Sequence, residues 1–400
     1  MFYTNIARSP VKEGYLVMHK GCLQLLIAIF CMLPMVCLAE EENIGKRADS
    51  YFNEGYQAYF KNDVDNAILN FSKAIELNPT RSNYHLFLGK AFQKKGILPK
   101  ATDELKFAVE IEPDLVEAHI KLGDCLYSQG LWSDAEKAFL KVIKLKPDDF
   151  EGYYKIGQVY IKNKRVDEAV ANLLKAKDMN PEEPNIPFYL GQAYLEKDEI
   201  FLAISEFGNA IKIESNNPYY YYWRGNAYFA SGDYRDPNDY YWRSVDDYQK
   251  AIEFGLATPY VYFMYGNTIL NRAFYCTTAN RKEDSLDLLE RGIVKYKKVI
   301  ELEPKASNAY NNLGLAYFYL GRLDESITAY KTAIDLEPVI AFFHDNLGDA
   351  YYKKAQFKES VTEWNLVKEL DPNYIMSQIY APVPPRPIKQ KLREAKRRVE

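Results

Sequence analysis

The chain carries few residues suited to chemistry. Cysteine occurs five times and histidine four times in 400 residues. Three of the cysteines (Cys22, Cys31, Cys37) lie in one apolar run near the N-terminus, and neither of the others, Cys125 or Cys276, belongs to a Cys-x-x-Cys pair. That scarcity argues against a disulfide framework or a zinc ribbon. No His-Glu-x-x-His, Gly-x-x-x-x-Gly-Lys-Ser/Thr, Gly-x-Gly-x-x-Gly or Gly-x-Ser-x-Gly segment is present, so the signatures of metalloproteases, nucleotide cradles and nucleophile elbows are missing. A basic excess is missing too: 51 Lys and Arg stand against 55 Asp and Glu, a net charge of −4, which argues against nucleic acid as a partner. No catalytic residue, metal site or cofactor is expected.

What the sequence has is a period. Gly55, Gly89, Gly123, Gly157, Gly191 and Gly225 are each 34 residues apart, and the steps to Gly266, Gly314 and Gly348 are 41, 48 and 34. Twelve residues after most of these glycines stands a small residue (Ala67, Ala101, Ala135, Ala169, Ala203, Ser326, Ser360). Four further on comes a bulky one (Phe71, Leu105, Phe139, Leu173, Phe207, Tyr330, Trp364). A proline then closes most units (Pro79, Pro113, Pro147, Pro181, Pro338, Pro372), because proline cannot continue a helix. A repeat of this length reads as two helices that cannot bury their apolar faces alone and must stack on their neighbours.

These features, and the segment SNAYNNLGLAYFYLGRLDESITAYKTAIDLEP (Ser307–Pro338) almost end to end, resemble the tetratricopeptide repeat family. Nine repeats begin near Ala48, Ser82, Val116, Phe150, Pro184, Pro218, Pro259, Ser307 and Ala341 and cover 48–374. The resemblance implies an all-α, right-handed superhelical solenoid of about nine helix–turn–helix repeats, with the first helix of each lining a concave face. It also implies that positions five and nine of each unit point into that face. Position five reads Tyr154, Phe188, Tyr222 and Phe263 in repeats four to seven, and position nine reads Gln158, Gln192, Asn226 and Asn267. A side-chain amide can both donate to and accept from an extended backbone, and aromatic rings supply contact area at low entropic cost. These eight residues are the candidate peptide-binding site. Repeat one has Phe52 and Tyr56 at the same positions, so the Lys–Asn carboxylate clamp of chaperone-binding members is missing.

The ends carry separate signals. Cys22–Ala39 has no charge, follows Arg8, Lys12 and Lys20, and precedes Glu40, Glu41 and Glu42, the layout of a secretory signal or signal anchor over residues 1–39. A leader beginning at Met18 would have more ordinary proportions. Either form places the repeats beyond the membrane, in a periplasm or cell envelope. Without the leader's three basic and one acidic residue the net charge moves from −4 to −6, and the tail 386–400 holds seven basic and two acidic residues, leaving about −11 for the repeat body. Residues 375–400 read as a Pro-rich spacer and a basic capping helix, with contact to an anionic membrane as the alternative.

Repeats six and seven exceed the period by seven and fourteen residues. The extra residues are expected in loops, around Asp233–Trp242 and Cys276–Asp287, where such insertions adjoin the working face. Cys125 reads as core and Cys276 as exposed. His85, His119 and His344 stand four residues before a repeat glycine, where other units carry tyrosine, and read as scaffold. The chain is therefore expected to be a non-catalytic scaffold for a protein or peptide partner. A glycan-binding accessory protein using the aromatic insertions, and a membrane-tethered assembly factor, are the alternatives.

Overall fold

The computed structural model describes residues 42–231, 240–374 and 387–399, and every regular element among them is an α-helix. The leader, the spacer at 375–386 and most of the first insertion lie outside the described residues. The helices fall into two compact units divided after Asn163. The first unit holds α1 (42–60), α2 (Val64–Leu77), α3 (Ser82–Lys94), α4 (Leu98–Ile111), α5 (Val116–Ser128), α6 (Trp132–Leu145) and α7 (Phe150–Lys162). The second begins with α8 (Val166–Met179), α9 (Asn185–Glu196), α10 (Ile200–Ile213), α11 (Pro218–Ala230), α12 (Tyr240–Glu253) and α13 (Pro259–Thr278). It continues through α14 (Lys282–Leu302), α15 (Ser307–Leu320), α16 (Leu323–Leu336), α17 (Ala341–Lys353), α18 (Phe357–Leu370) and α19 (Ile388–Val399). Within each unit the substantial contacts join a helix to the next or next but one, as stacked repeats require.

The periodic residues do what their sizes suggest. A Cβ added at Gly123 would lie 2.5 Å from the Phe139 ring, and one at Gly348 2.5 Å from the Trp364 indole. The glycine thus lets the second helix's large side chain lie against the first helix's backbone. The same contact persists in the long repeats, where Gly225 meets Tyr248 and Gly266 meets Tyr296. The turn between paired helices needs one left-handed residue. Gly96, Gly130 and Gly321 supply it, as do Asn62, Lys164, Asp198, Asn280 and Ala355, all with φ between 59° and 79°.

The turn between repeats is tied by position four. His85 and His344 Nε2 each lie 3.0 Å from the carbonyl of Pro79 and Pro338, and His119 Nε2 lies 2.9 Å from that of Pro113. Tyr153 and Tyr221 donate their hydroxyls to the Pro147 and Ser215 carbonyls at 3.1 and 2.8 Å. A carbonyl only accepts, so these ring nitrogens carry the proton.

Two expectations are corrected. Cys276–Asp287 is not a loop: α13 and α14 run to 20 and 21 residues, against 13 and 14 for α3 and α4, and only residues 279–281 turn between them. Seven extra residues per helix are nearly two full turns, so each helix keeps its buried face. Leu270, Ala273 and Phe274 on α13 meet Leu288, Leu289 and Ile293 on α14 in one core. Cys276 is accordingly buried, 1% exposed, and not at the surface. Cys125 is buried as well, its thiol pushed up to about 11 mainly by loss of water.

α19 packs on α18 through Ile388, Leu392 and Ala395 against Trp364 and Val367. Beneath it Lys391, 2% exposed, donates to Asp345 at 2.7 Å and Asp349 at 2.9 Å.

Candidate functional site

Four candidate residues of the second unit, Tyr222, Asn226, Phe263 and Asn267, stand on α11 and α13. Tyr222 is half-buried, and its hydroxyl is pushed up to about 12, first by burial, against the favourable hydrogen bond from Asn226. Its ring lies 6.1 Å from Tyr260, and Tyr219 and Tyr260, each at position two, are 54% and 58% exposed. Asn226 Oδ1 accepts from the buried Tyr248 hydroxyl at 2.7 Å. Asn267 Oδ1 accepts from the buried Tyr296 hydroxyl and from Asn312 Nδ2, both at 2.9 Å. Tyr248 and Tyr296 are the large residues under the repeat glycines, so each position-nine asparagine satisfies a hydroxyl that would otherwise be stranded in the core. The amides continue inward: Asn346 donates to Asn311 at 2.8 Å and Asn311 to Asn312 at 3.0 Å.

The remaining candidates differ. Phe263 is half-buried with its ring 6.2 Å from Tyr296, and Gln192 is half-buried. Phe188 belongs to a core cluster with Phe207 and Tyr220, at 5.9 and 5.1 Å. In the first unit Tyr154 is half-buried with Lys155 Nζ 5.6 Å from its ring, and Gln158 is buried. Phe188 and Gln158 thus offer little surface. The open row is Gln192, Tyr222, Asn226, Phe263 and Asn267, rimmed by Tyr219 and Tyr260.

The two insertions meet each other. Arg272 of α13 lies 5.4 Å from the Tyr241 ring and Arg291 of α14 5.5 Å from that of Trp242. Tyr240 stacks on Tyr228 at 5.5 Å. The aromatic start of α12 therefore lies beside arginines of α13 and α14. Among the described residues no three His, Cys, Asp or Glu side chains come together as a metal site, and no helix is long and apolar enough to cross a membrane.

Sequence profiles of the tetratricopeptide repeat match residues 48–81, 150–183 and 295–328, and a TPR repeat profile matches 123–164 and 314–355. The chain is a tetratricopeptide repeat protein. No curated protein matches it. Among solved structures, a tetratricopeptide repeat protein from Parabacteroides merdae superposes with a TM-score of 0.51 at 16% identity, over 68% of this chain and 99% of its own, a likeness of fold. MamA aligns at 26% identity and a TM-score of 0.40 over 43% of this chain and 94% of its own. YrrB, described as a TPR protein with an unusual peptide-binding site, aligns at 19% identity and 0.37 over 46% and 92%.

Two features of these tetratricopeptide repeats escaped the sequence reading. In the first unit Phe52, Tyr56, Tyr59 and Phe60 of α1 form a ring cluster with Phe87 of α3. Phe60 is 65% exposed, and Lys90 and Lys94 stand 4.3 and 4.7 Å over Phe87 and Tyr59. The run of rings at spacing 52, 56, 59, 60 was the available signal. The second is Lys391: Asp345 and Asp349 are positions five and nine of repeat nine, and the chain fills them itself. Tetratricopeptide arrays build extended binding surfaces of this kind.

Proposed function

We propose that the chain is a non-catalytic scaffold that holds a protein or peptide segment against the first helices of its repeats, chiefly those of repeats five to seven. The observation that carries this reading is Lys391, whose ammonium sits 2.7 and 2.9 Å from the carboxylates at positions five and nine of the last repeat. In repeats six and seven those positions hold Tyr222, Asn226, Phe263 and Asn267, half-buried beside the exposed Tyr219 and Tyr260. Rings give area, and among the described residues the Asn267 Nδ2 group has no acceptor, leaving it a donor for a backbone carbonyl.

Asn267→Asp tests the proposal. It keeps the acceptor that Tyr296 and Asn312 use and removes the donor. A peptide selected on the wild-type chain from a random library is expected to bind the variant about tenfold more weakly or worse, the scale of one hydrogen bond in a desolvated site. Unchanged affinity would sink the amide's role. Glycan binding through the aromatic insertion, the second reading, would be lost in Tyr240→Ser/Trp242→Ser and be indifferent to Asn267→Asp. Export through residues 1–39 belongs to the same proposal, and fractionation with N-terminal sequencing of the mature chain checks it.

A further inference from the structure

The outward face of α19 is of one charge. Its inward face, Ile388, Lys391, Leu392 and Ala395, is taken up by α18 and by the aspartates of α17. On the outward face Lys389, Arg393, Lys396 and Arg397 follow one another at helical spacings of four, three and one, all exposed, with Arg398 beside them. No acidic residue of α19 within 388–399 is exposed: Glu394 is half-buried. At 1.5 Å per residue the stripe runs about 12 Å along the helix. The repeat body carries about −11, against which this stripe is strongly basic.

We infer that the α19 stripe docks the array on an anionic phospholipid surface. The helix has no apolar side left to insert, so the contact is electrostatic and lies at the headgroups. Among the described residues α19 carries no aromatic anchor to set the register of a polypeptide, whereas lipid headgroups move laterally to meet fixed cations. The acidic body does not cancel the attraction, because a charge more than about 8 Å from the bilayer is screened at physiological salt.

The test uses the full chain, co-sedimented with vesicles of 30% phosphatidylglycerol in phosphatidylcholine and, in parallel, with pure phosphatidylcholine. The excess binding to the anionic vesicles, compared between wild type and variants that all carry the same leader, is the readout, so the leader's three basic residues contribute equally to each. Arg393→Ala/Arg397→Ala removes two of four cations and is expected to reduce that excess about 30-fold, as Lys389→Ala/Lys396→Ala should independently. None of the four residues faces α18, and circular dichroism of each variant checks that α19 stays helical. The excess is also expected to vanish in 0.5 M salt. An excess that both variants keep, or wild-type binding equal on the two vesicles, overturns the inference. So does an equal response to an acidic polypeptide, polyglutamate, with vesicle binding untouched.

Discussion

Gly123 has no room for a methyl group, because Phe139 already lies where it would go. Gly123→Ala is expected to lower stability by about 1–3 kcal/mol, read as a shift of the urea midpoint, since a buried ring cannot yield without straining its own packing. The opposite sign is expected at Ala355, which holds φ 61° where Gly321 holds 78° in the preceding repeat. Ala355→Gly should stabilise by about 1 kcal/mol and Gly321→Ala should destabilise by a similar amount. The histidines give a pH signature. His85 is buried, which works against its charge, yet Glu104 at 2.7 Å and the Pro79 carbonyl raise its pKa. For His344 the Glu363 contact at 2.7 Å leads, again raising it. A raised folded value means stability fully present below the unfolded pKa of about 6.5 and lost as pH rises through the folded one. His85→Tyr/His344→Tyr puts in each place the residue with which repeat four bonds its equivalent carbonyl, Tyr153 to Pro147, and it should flatten the melting temperature between pH 6 and 8. These small and large positions were legible in the sequence because each has one steric task. The partners of Asn226 and Asn267 were not, since the hydroxyls they satisfy come from residues displaced by the insertions.

Helices α13 and α14 show where spacing misleads. CTTANRKEDSLD looks like a polar loop, but it is the tip of a hairpin whose arms each gained seven residues. The paired addition preserves the Gly266–Tyr296 contact and the facing apolar rows, which a count of residues between glycines cannot reveal. Removing 272–278 and 282–288 together restores helices of 13 and 14 residues. It is expected to leave a soluble chain with helical circular dichroism. Removing either stretch alone throws the arms out of step and should give aggregation. At the other end, Lys391→Ala strands the fully buried Asp345 and is expected to weaken α19 docking by about 3–5 kcal/mol, seen as fast amide exchange across 388–399. Lys391→Met/Asp345→Asn should lose less, because the fully buried carboxylate goes together with its ammonium and the carboxylate that still loses that ammonium, Asp349, is partly exposed. The sequence marked this segment as basic and helical; that one of its lysines turns inward depended on two aspartates 40 or more residues away.

Within each of the two compact units similar repeats lean on their neighbours, and that regularity is why the family could be read from periodicity. The departures from it are the tyrosines of repeats six and seven, which we propose for binding, the rings of α1, and the lysine returned to repeat nine. The most direct measurement places a photo-crosslinking amino acid at Tyr260, which is 58% exposed on a first helix, and in a second chain at Val294, 61% exposed on a second helix. Both chains would be irradiated in extracts of the native cell. A discrete protein adduct is expected at 260 and none at 294. Adducts at 294 alone, or equal at both, would contradict a scaffold that works through its first helices.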